Sequence, residues 1–240
     1  MTIYLPELDA NALKFPEPYE ALKDPNGLLA MGGDLSPERL ISAYGKGIFP
    51  WYAPGEPILW WSPSPRAVFF PDEYKPSKSL KKFYRKSNYK VSVNHATKDV
   101  IRLCSESRPL EETWIVSDMV KAYQKLSEMG FCHSVEVWED GELIGGLYGI
   151  AVGSVFCGES MFSKKTNASK IAMWLFCQHF TRCGGELVDG QIINPHTASL
   201  GAQEIARSEY LKKLKELKEH RLTPGCFSRQ WLSLSKENTQ

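Results

Sequence analysis

From about residue 66 onward, apolar positions along the chain recur with the periods of regular secondary structure; before it they do not. The "AVFF" run at 67–70 has the length and composition of a buried strand. Leu80, Phe83 and Tyr84 share one stripe at i, i+3, i+4, which predicts a helix over about 77–86. "YKVSVN" then alternates as a strand. Helices are predicted at about 96–106 and 117–129, the second opened by Ser117 and stopped by Gly130. Residues 133–162 alternate as three strands, with turns at Asp140-Gly141 and Gly153-Ser154. The middle strand carries Gly145, Gly146 and Gly149, and glycines at that density point to a bulge or to a ligand backbone close by. A helix over about 167–183 follows, opened by Thr166 or Asn167 and stopped by Gly184-Gly185. The strand "ELVDGQI", a short strand near 203–205 and a lysine-rich helix near 207–219 complete the pattern. The mixture predicts an α+β fold.

Residues 1–65 lack such periods and read as turns around one helix, Ser36 to Gly45, with Ser36 as N-cap, Pro37 first in the helix and Glu38 behind it. The change of texture predicts a small N-terminal domain over 1–65 and a larger domain over 66–240. Across the seam, residues 47–70 hold seven aromatics and five prolines in 24 residues. Proline excludes a long helix or a central strand there. Rings held rigid in this way serve either as core filling or as a platform on which bases stack. Trp60 and Trp61 suit both uses; Trp51 and Tyr52, beside a Pro/Gly turn, suit the platform.

With 29 Lys and Arg against 28 Asp and Glu, the net charge is +1, so affinity for a polyanion has to come from a local patch. Residues 75–90 supply one, with seven basic residues and no acidic one. Its cations Lys78, Lys81, Lys82, Arg85 and Lys86 surround the apolar stripe and would follow a phosphate backbone. The six cysteines, at 104, 132, 157, 177, 183 and 226, form no CxxC pair, and Cys177 and Cys183 lack a partner pair at zinc spacing. They read as buried thiols of a reducing compartment, with no metal. No signal peptide and no apolar run of membrane-spanning length is visible, which predicts a cytoplasmic protein.

Three polar residues interrupt apolar strands. Glu159 sits in "FCGESMFS", and Asp189 and Gln191 lie two apart on the next predicted strand, so alternation puts both on one face. If the strands are neighbours, the three converge, as a site for a cationic or amine group or for orienting a polar partner; otherwise Asp189 caps a loop or pairs with a base. In "NPHTASLGA", a Ser–His pair from His196 and Ser199 competes with a polar loop that bonds its own backbone, and the loop is favoured. No zinc-protease, phosphate-loop or dinucleotide fingerprint is present.

The order of three-stranded meander, helix and strand resembles the GNAT acyltransferase fold, in which two strands splay apart and donor and acceptor meet in the gap. The blocks "PNGLLAMGGDLSPERLISAYGKGIFPWY", "PILWWSPSPRAV", "TWIVSDMVKAYQKL", "HSVEVWEDGELIGGLYGIAVGSVFCGESMFS", "NASKIA" and "ELVDGQIINPHTASLGAQEI" resemble the bacterial leucyl/phenylalanyl-tRNA–protein transferases over about residues 15–210. The resemblance implies a GNAT-like catalytic domain behind a small N-terminal one. It implies transfer of leucine or phenylalanine, with methionine as a further donor, from aminoacyl-tRNA to the N-terminal Lys or Arg of a protein, the mark read by the N-degron pathway. It implies no coenzyme A, nucleotide or metal. The chain is expected to be a monomer.

Trp51 and Trp114 match family positions at the 3′-terminal adenosine, with Tyr44 and Tyr123 as neighbours. Leu147, Phe156, Met173, Phe176 and Val188 match the pocket for the donor side chain. Glu159, Asp189 and Gln191 match the catalytic and acceptor positions, with Asn194 close by. On that assignment Asp189 hydrogen-bonds and fixes the Gln191 amide, Gln191 orients the attacking amine, and Glu159 binds the cationic acceptor or the donor's ammonium. Two readings compete: a coenzyme-A-dependent N-acetyltransferase on the same fold, and a non-catalytic RNA-binding module. The first wants a glycine-rich loop before the helix at 167, and "FSKKTNAS" has no glycine.

Overall fold

A computed structural model describes residues 4–9, 12–107 and 115–234. Its first surprise lies before residue 65, where a four-stranded sheet is present. Strands β1 (Glu7–Leu8), β2 (Leu28–Gly32), β3 (Phe49–Pro50) and β4 (Leu59–Trp61) lie in the order β1-β2-β4-β3, with helix α1 (Pro37–Tyr44) inserted between β2 and β3. These strands escaped the sequence pattern because two of them are only two residues long and β2 shifts register between Leu28 and Ala30. No stretch is long enough to show a period. Pro50 sits on an edge strand, where its missing N–H costs no ladder bond. Ser36 caps α1 as expected, its Oγ accepting from the Arg39 N–H.

The larger sheet has eight strands. They are β5 (Arg66–Phe69), β6 (Lys90–Val93), β7 (Cys132–Glu139), β8 (Glu142–Val152), β9 (Val155–Ser163), β10 (Leu187–Gln191), β11 (Gln203–Ile205) and β12 (Gln230–Leu232). Their order is β11-β5-β10-β9-β8-β7-β6-β12. Helices α2 (Lys78–Lys86), α3 (Thr97–Glu106), α4 (Ser117–Glu128), α5 (Ala168–Arg182), α6 (Pro195–Ser199) and α7 (Arg207–Leu217) connect them. The α+β expectation and the strand–meander–helix–strand order of a GNAT-like domain hold. Short α6 and β12 were not anticipated. Val116, without a side-chain cap, stands where Ser117 was expected to cap α4, and Ser117 is the first helical residue.

Alternation along the strands divides the core between the two faces of this sheet. Val155, Cys157 and Leu187 join α1, α3, α4, α7 and the N-terminal sheet on one face. Phe156, Val188 and the inner side of α5 lie on the other. Helix α5 is apolar nearly all round, as a helix buried on most sides must be. It can lie this close because β8 is bare there: a Cβ on Gly145 would stand 2.5 Å from that of Ala168. The backbone that approaches the glycine-rich strand is thus the protein's own. The bulge expected in β8 is also present, at Ile144, the extra residue between the Val137–Gly145 and Trp138–Leu143 pairs.

Candidate active site

Two strand irregularities build the site. Parallel pairing of β9 with β10 covers Val155–Cys157 against Leu187–Asp189 and stops. Beyond that point the strands part. Tyr148 pairs with Ser160 and Gly149 with Gly158, so Glu159 is the extra residue of a bulge. Asp189 pairs with Val68 and Gln191 with Ala67, so Gly190 is the extra residue of a second bulge. Gln191 takes a left-handed φ of 62°, rare for a residue with a side chain. The strict alternation expected between Asp189 and Gln191 is lost, and their side chains serve different partners.

Asp189 is fully buried and bound to a base. Its carboxylate accepts from Arg66 Nε at 2.8 Å and Nη2 at 2.7 Å, from the Tyr210 hydroxyl at 2.8 Å and from the Gln191 N–H at 2.9 Å. Arg66 Nη1 donates to the Gly47 carbonyl at 3.0 Å, and the guanidinium lies over the rings of Phe49 and Tyr210. Burial opposes the charge on Arg66, but Asp189 outweighs it and holds Arg66 protonated. Asp189 therefore fixes the backbone of Gln191, whereas the sequence reading had it fix the amide.

The Gln191 amide is fixed by Glu159. Gln191 Nε2 donates to Glu159 Oε1 at 2.8 Å, and the Tyr123 hydroxyl donates to Oε2 at 2.8 Å. Tyr44 Oη lies 2.5 Å from Tyr123 Oη; with Tyr123 donating to Glu159, the Tyr44 hydroxyl donates to Tyr123. Two helices on the same face of the sheet, α1 through Tyr44 and α4 through Tyr123, thus fasten a carboxylate that fastens an amide. The Gln191 carbonyl oxygen is left to accept a further hydrogen bond. Burial pushes the Glu159 carboxyl up to about 7, against the pull of the Tyr44, Tyr123 and Gln191 hydrogen bonds. Burial, with the Glu159 charge, holds both tyrosines well above their ordinary value, so they stay donors.

Glu159 and Gln191 open onto a cavity of about 860 Å³. Leu147, Phe156, Met173, Phe176 and Val188 line its apolar part, and all five are buried. Trp51, 39 % exposed, stands at its edge. The Trp61 indole N–H donates to the Trp51 carbonyl at 2.6 Å, and the rings lie 5.5 Å apart, so Trp61 steadies Trp51. A hydrophobic chamber with a few aimed polar groups is the usual form of a small-ligand site.

A family model described as leucyl/phenylalanyl-tRNA protein transferase matches residues 68–215, and the model of that family's N-terminal domain matches 33–64. Leucyl/phenylalanyl-tRNA–protein transferases from Vibrio atlanticus and Vibrio vulnificus are 63% and 62% identical over 97% of this chain and 98% of each relative. The one from Photobacterium profundum is 57% identical over 99% of this chain and all of its own length. This chain belongs to the leucyl/phenylalanyl-tRNA–protein transferase family. Among solved structures, a GCN5-related N-acetyltransferase from Kribbella flavida matches with a TM-score of 0.39 at 12% identity, over 71% of this chain and 61% of that one. L-PGS from Bacillus licheniformis matches with a TM-score of 0.36 at 13% identity, over 67% and 52%. Likenesses so distant carry no argument.

Within this transferase, Trp51 and the five apolar residues lie around one cavity, in keeping with what the family resemblance implied. Trp114 lies outside the described residues. Tyr44 and Tyr123 are fully buried behind Glu159, with no face for a nucleoside. Tyr52 is buried too, and Trp60 is core, stacked edge-on against Phe15 with its N–H on the Gly32 carbonyl. Glu159 accepts one internal hydrogen bond at each oxygen and also lines the cavity. Asn194 lines the cavity, but its side-chain oxygen caps α6 through the Thr197 N–H. Ser199 Oγ donates to the His196 carbonyl, so "NPHTASLGA" is the self-bonded loop and not a nucleophilic pair. Lys78, Lys82, Arg85 and Lys86 are exposed on α2, with Lys81 half-buried, while Leu80 packs into the core. Arg66 and Tyr210 escaped the sequence reading. The one usable signal was a charge at the head of the apolar run "RAVFF".

Two outcomes follow from the two carboxylates. Asp189→Asn leaves the Arg66 guanidinium buried beside a neutral amide and should cost about 3–5 kcal/mol of stability. Urea unfolding monitored by circular dichroism measures it; an unchanged midpoint would refute the pairing. Glu159 has a folded value raised above its ordinary 4.5, so its contribution to stability is full below that value and lost as pH rises through about 7. Stability should therefore decline between pH 5 and 8, and Glu159→Gln should flatten that decline; the same slope in both proteins would assign the titration elsewhere.

Proposed function

We propose that this chain transfers leucine or phenylalanine, and also methionine, from aminoacyl-tRNA to the N-terminal Lys or Arg of an acceptor protein. The observation that carries the mechanism is the locked Gln191 amide at the mouth of the apolar cavity, in the gap between β9 and β10. The donor side chain fills the space between Leu147, Phe156, Met173, Phe176 and Val188. The terminal adenine stacks on Trp51, with Trp114 as a second ring. The Gln191 carbonyl oxygen accepts a hydrogen bond from the attacking amine and aims its lone pair at the ester carbonyl. The new C–N bond forms as the C–O bond to the ribose breaks, and the amine's proton passes through water or the ribose 2′-hydroxyl to the departing ribose oxygen, which leaves as the tRNA hydroxyl.

An aminoacyl ester is already activated, so the chain's task is positioning, which in favourable cases accounts for several kcal/mol of a barrier. A glutamine amide is too weak a base to keep the proton; its part is orientation. Asp189 and Glu159 are positioning residues, one for the Gln191 backbone and one for its amide. The exposed cations of α2, Lys78, Lys82, Arg85 and Lys86, with Lys81 beside them, follow the tRNA phosphates. We read residues 1–65 as a small N-terminal domain that supplies Tyr44 and Trp51 to the site. The protein acts as a monomer in the cytoplasm, in the N-degron pathway. Among the described residues no helix is long and apolar enough to cross a membrane.

Gln191→Ala should lower single-turnover transfer of leucine from saturating charged tRNA about 10²-fold, in line with loss of one positioned polar group at a reacting centre. KM for the donor should change little. A near-normal rate in the folded variant would end the proposal. Replacing Lys82, Arg85 and Lys86 with glutamate should raise KM for charged tRNA, most at low salt, since phosphate contacts release counterions. A minimal aminoacyl-adenosine donor, which lacks the stem, should be used as before; equal losses with both donors would make α2 purely structural.

A further inference from the structure

Away from the cavity, the fold gathers three soft donors that the sequence keeps apart. His179 and Cys183 stand four residues apart at the C-terminal end of α5, on one helix face. Cys226 comes from the segment after α7, which folds back so that the Thr223 N–H bonds the Cys183 carbonyl at 2.8 Å. The ligand atoms of the three residues all lie within 4.8 Å of one another. We propose that His179, Cys183 and Cys226 form a binding site for a thiophilic cation, zinc(II) in the first instance, which clips the C-terminal segment to α5.

The spacing fits the ion. Zinc bonds of about 2.3 Å to sulfur and 2.0–2.1 Å to nitrogen set the N–S edges of a tetrahedron at roughly 3.6 Å. His179 Nε2 lies 3.7 Å from Cys183 Sγ and 3.9 Å from Cys226 Sγ. Closing the site requires the two thiols to turn inward and the Cys226 carbonyl to swing away from Nε2. One imidazole and two thiolates suit zinc or copper(I) and disfavour magnesium or calcium. His179 and Cys226 are buried and Cys183 is half-buried, so solvent reaches the site beside Cys183, where a water completes the tetrahedron.

Without an ion, His179 Nε2 lies 2.7 Å from the Cys226 carbonyl oxygen. Burial, and then the neighbouring Cys183, push the Cys226 thiol up. A bound dication reverses that preference. Loading releases the two thiol protons and moves the imidazole proton from Nε2, where it faces the Cys226 carbonyl, to Nδ1, giving up that hydrogen bond. The sequence expectation of simple buried thiols rested on spacing along the chain, and Cys226 lies 43 residues beyond Cys183 (226 minus 183). None of the three residues lines the active cavity. The site instead backs its wall: Phe227, next to Cys226, stacks 6.0 Å from Phe156, which lines the cavity. The ion is structural and takes no step in transfer.

Cobalt(II) reports on this directly, because thiolate ligation gives an intense near-ultraviolet charge-transfer absorption. The reduced full chain should bind one equivalent of cobalt(II) with that absorption, and zinc(II) should displace it and raise the melting temperature by a few degrees. Cys226→Ser and Cys183→Ser should each abolish the absorption and the zinc-dependent rise. Cys183 is half-buried at a helix end, so its variant keeps the test readable should Cys226→Ser melt. Cys177→Ala, on the same helix, should retain both signals. Absence of the thiolate absorption in the folded wild-type chain, or its persistence in Cys183→Ser, would overturn the proposal.

Discussion

The buried ion pair of Arg66 and Asp189 is the constraint on which the site's shape depends. Asp189 accepts four hydrogen bonds, from β5 through Arg66, from α7 through Tyr210 and from its own strand beyond the bulge. Arg66 reaches in turn to the Gly47 carbonyl, in the turn that leaves α1. Desolvating two charges is costly, and a buried pair is weak evidence for stability as such. What it supplies here is register. Four segments distant in sequence meet at one point, and the strand β10 cannot slide without stranding a charge. Gly47 admits this convergence: a Cβ there would meet the Leu211 side chain at 2.7 Å and the Tyr210 ring at 2.9 Å.

From that fixed point the chemistry is built outward by a division of labour between two carboxylates. Asp189 has a permanent counter-charge and no route to solvent. Glu159 has none; it is held by hydroxyl and amide donors alone, and burial leaves its proton loosely placed near neutral pH. The pair sets the Gln191 backbone, the lone carboxylate sets the Gln191 side chain, and the amide's remaining acceptor faces the cavity. Their opposite settings come from the company each keeps on the same face of the same sheet.

The N-terminal segment supports the site from α1 and from its sheet. Tyr44 reaches under the floor of the site, and Trp61 holds the backbone of Trp51 at its edge. The aromatic and proline-rich stretch therefore serves two purposes along its length. Trp60 is core, Trp61 a brace and Trp51 an open ring.

By itself the sequence determined most elements of the larger sheet, the buried helix α5 and, through its motifs, the family and the apolar residues that resemble its pocket, because periodicity and motif are properties of neighbouring positions. It also marked Glu159, Asp189 and Gln191, since a polar residue inside an apolar strand stands out wherever the strand goes. The tertiary structure alone decided which partner each one has. A one-residue bulge at Gly190 broke the alternation that would have joined Asp189 to the Gln191 amide, and Arg66, 123 residues from Asp189, took its place. The N-terminal strands, too short to show a period, and the His179–Cys183–Cys226 cluster were hidden for the same physical reason. Each is defined by packing between segments far apart in the chain, and no local pattern encodes a distance between such segments.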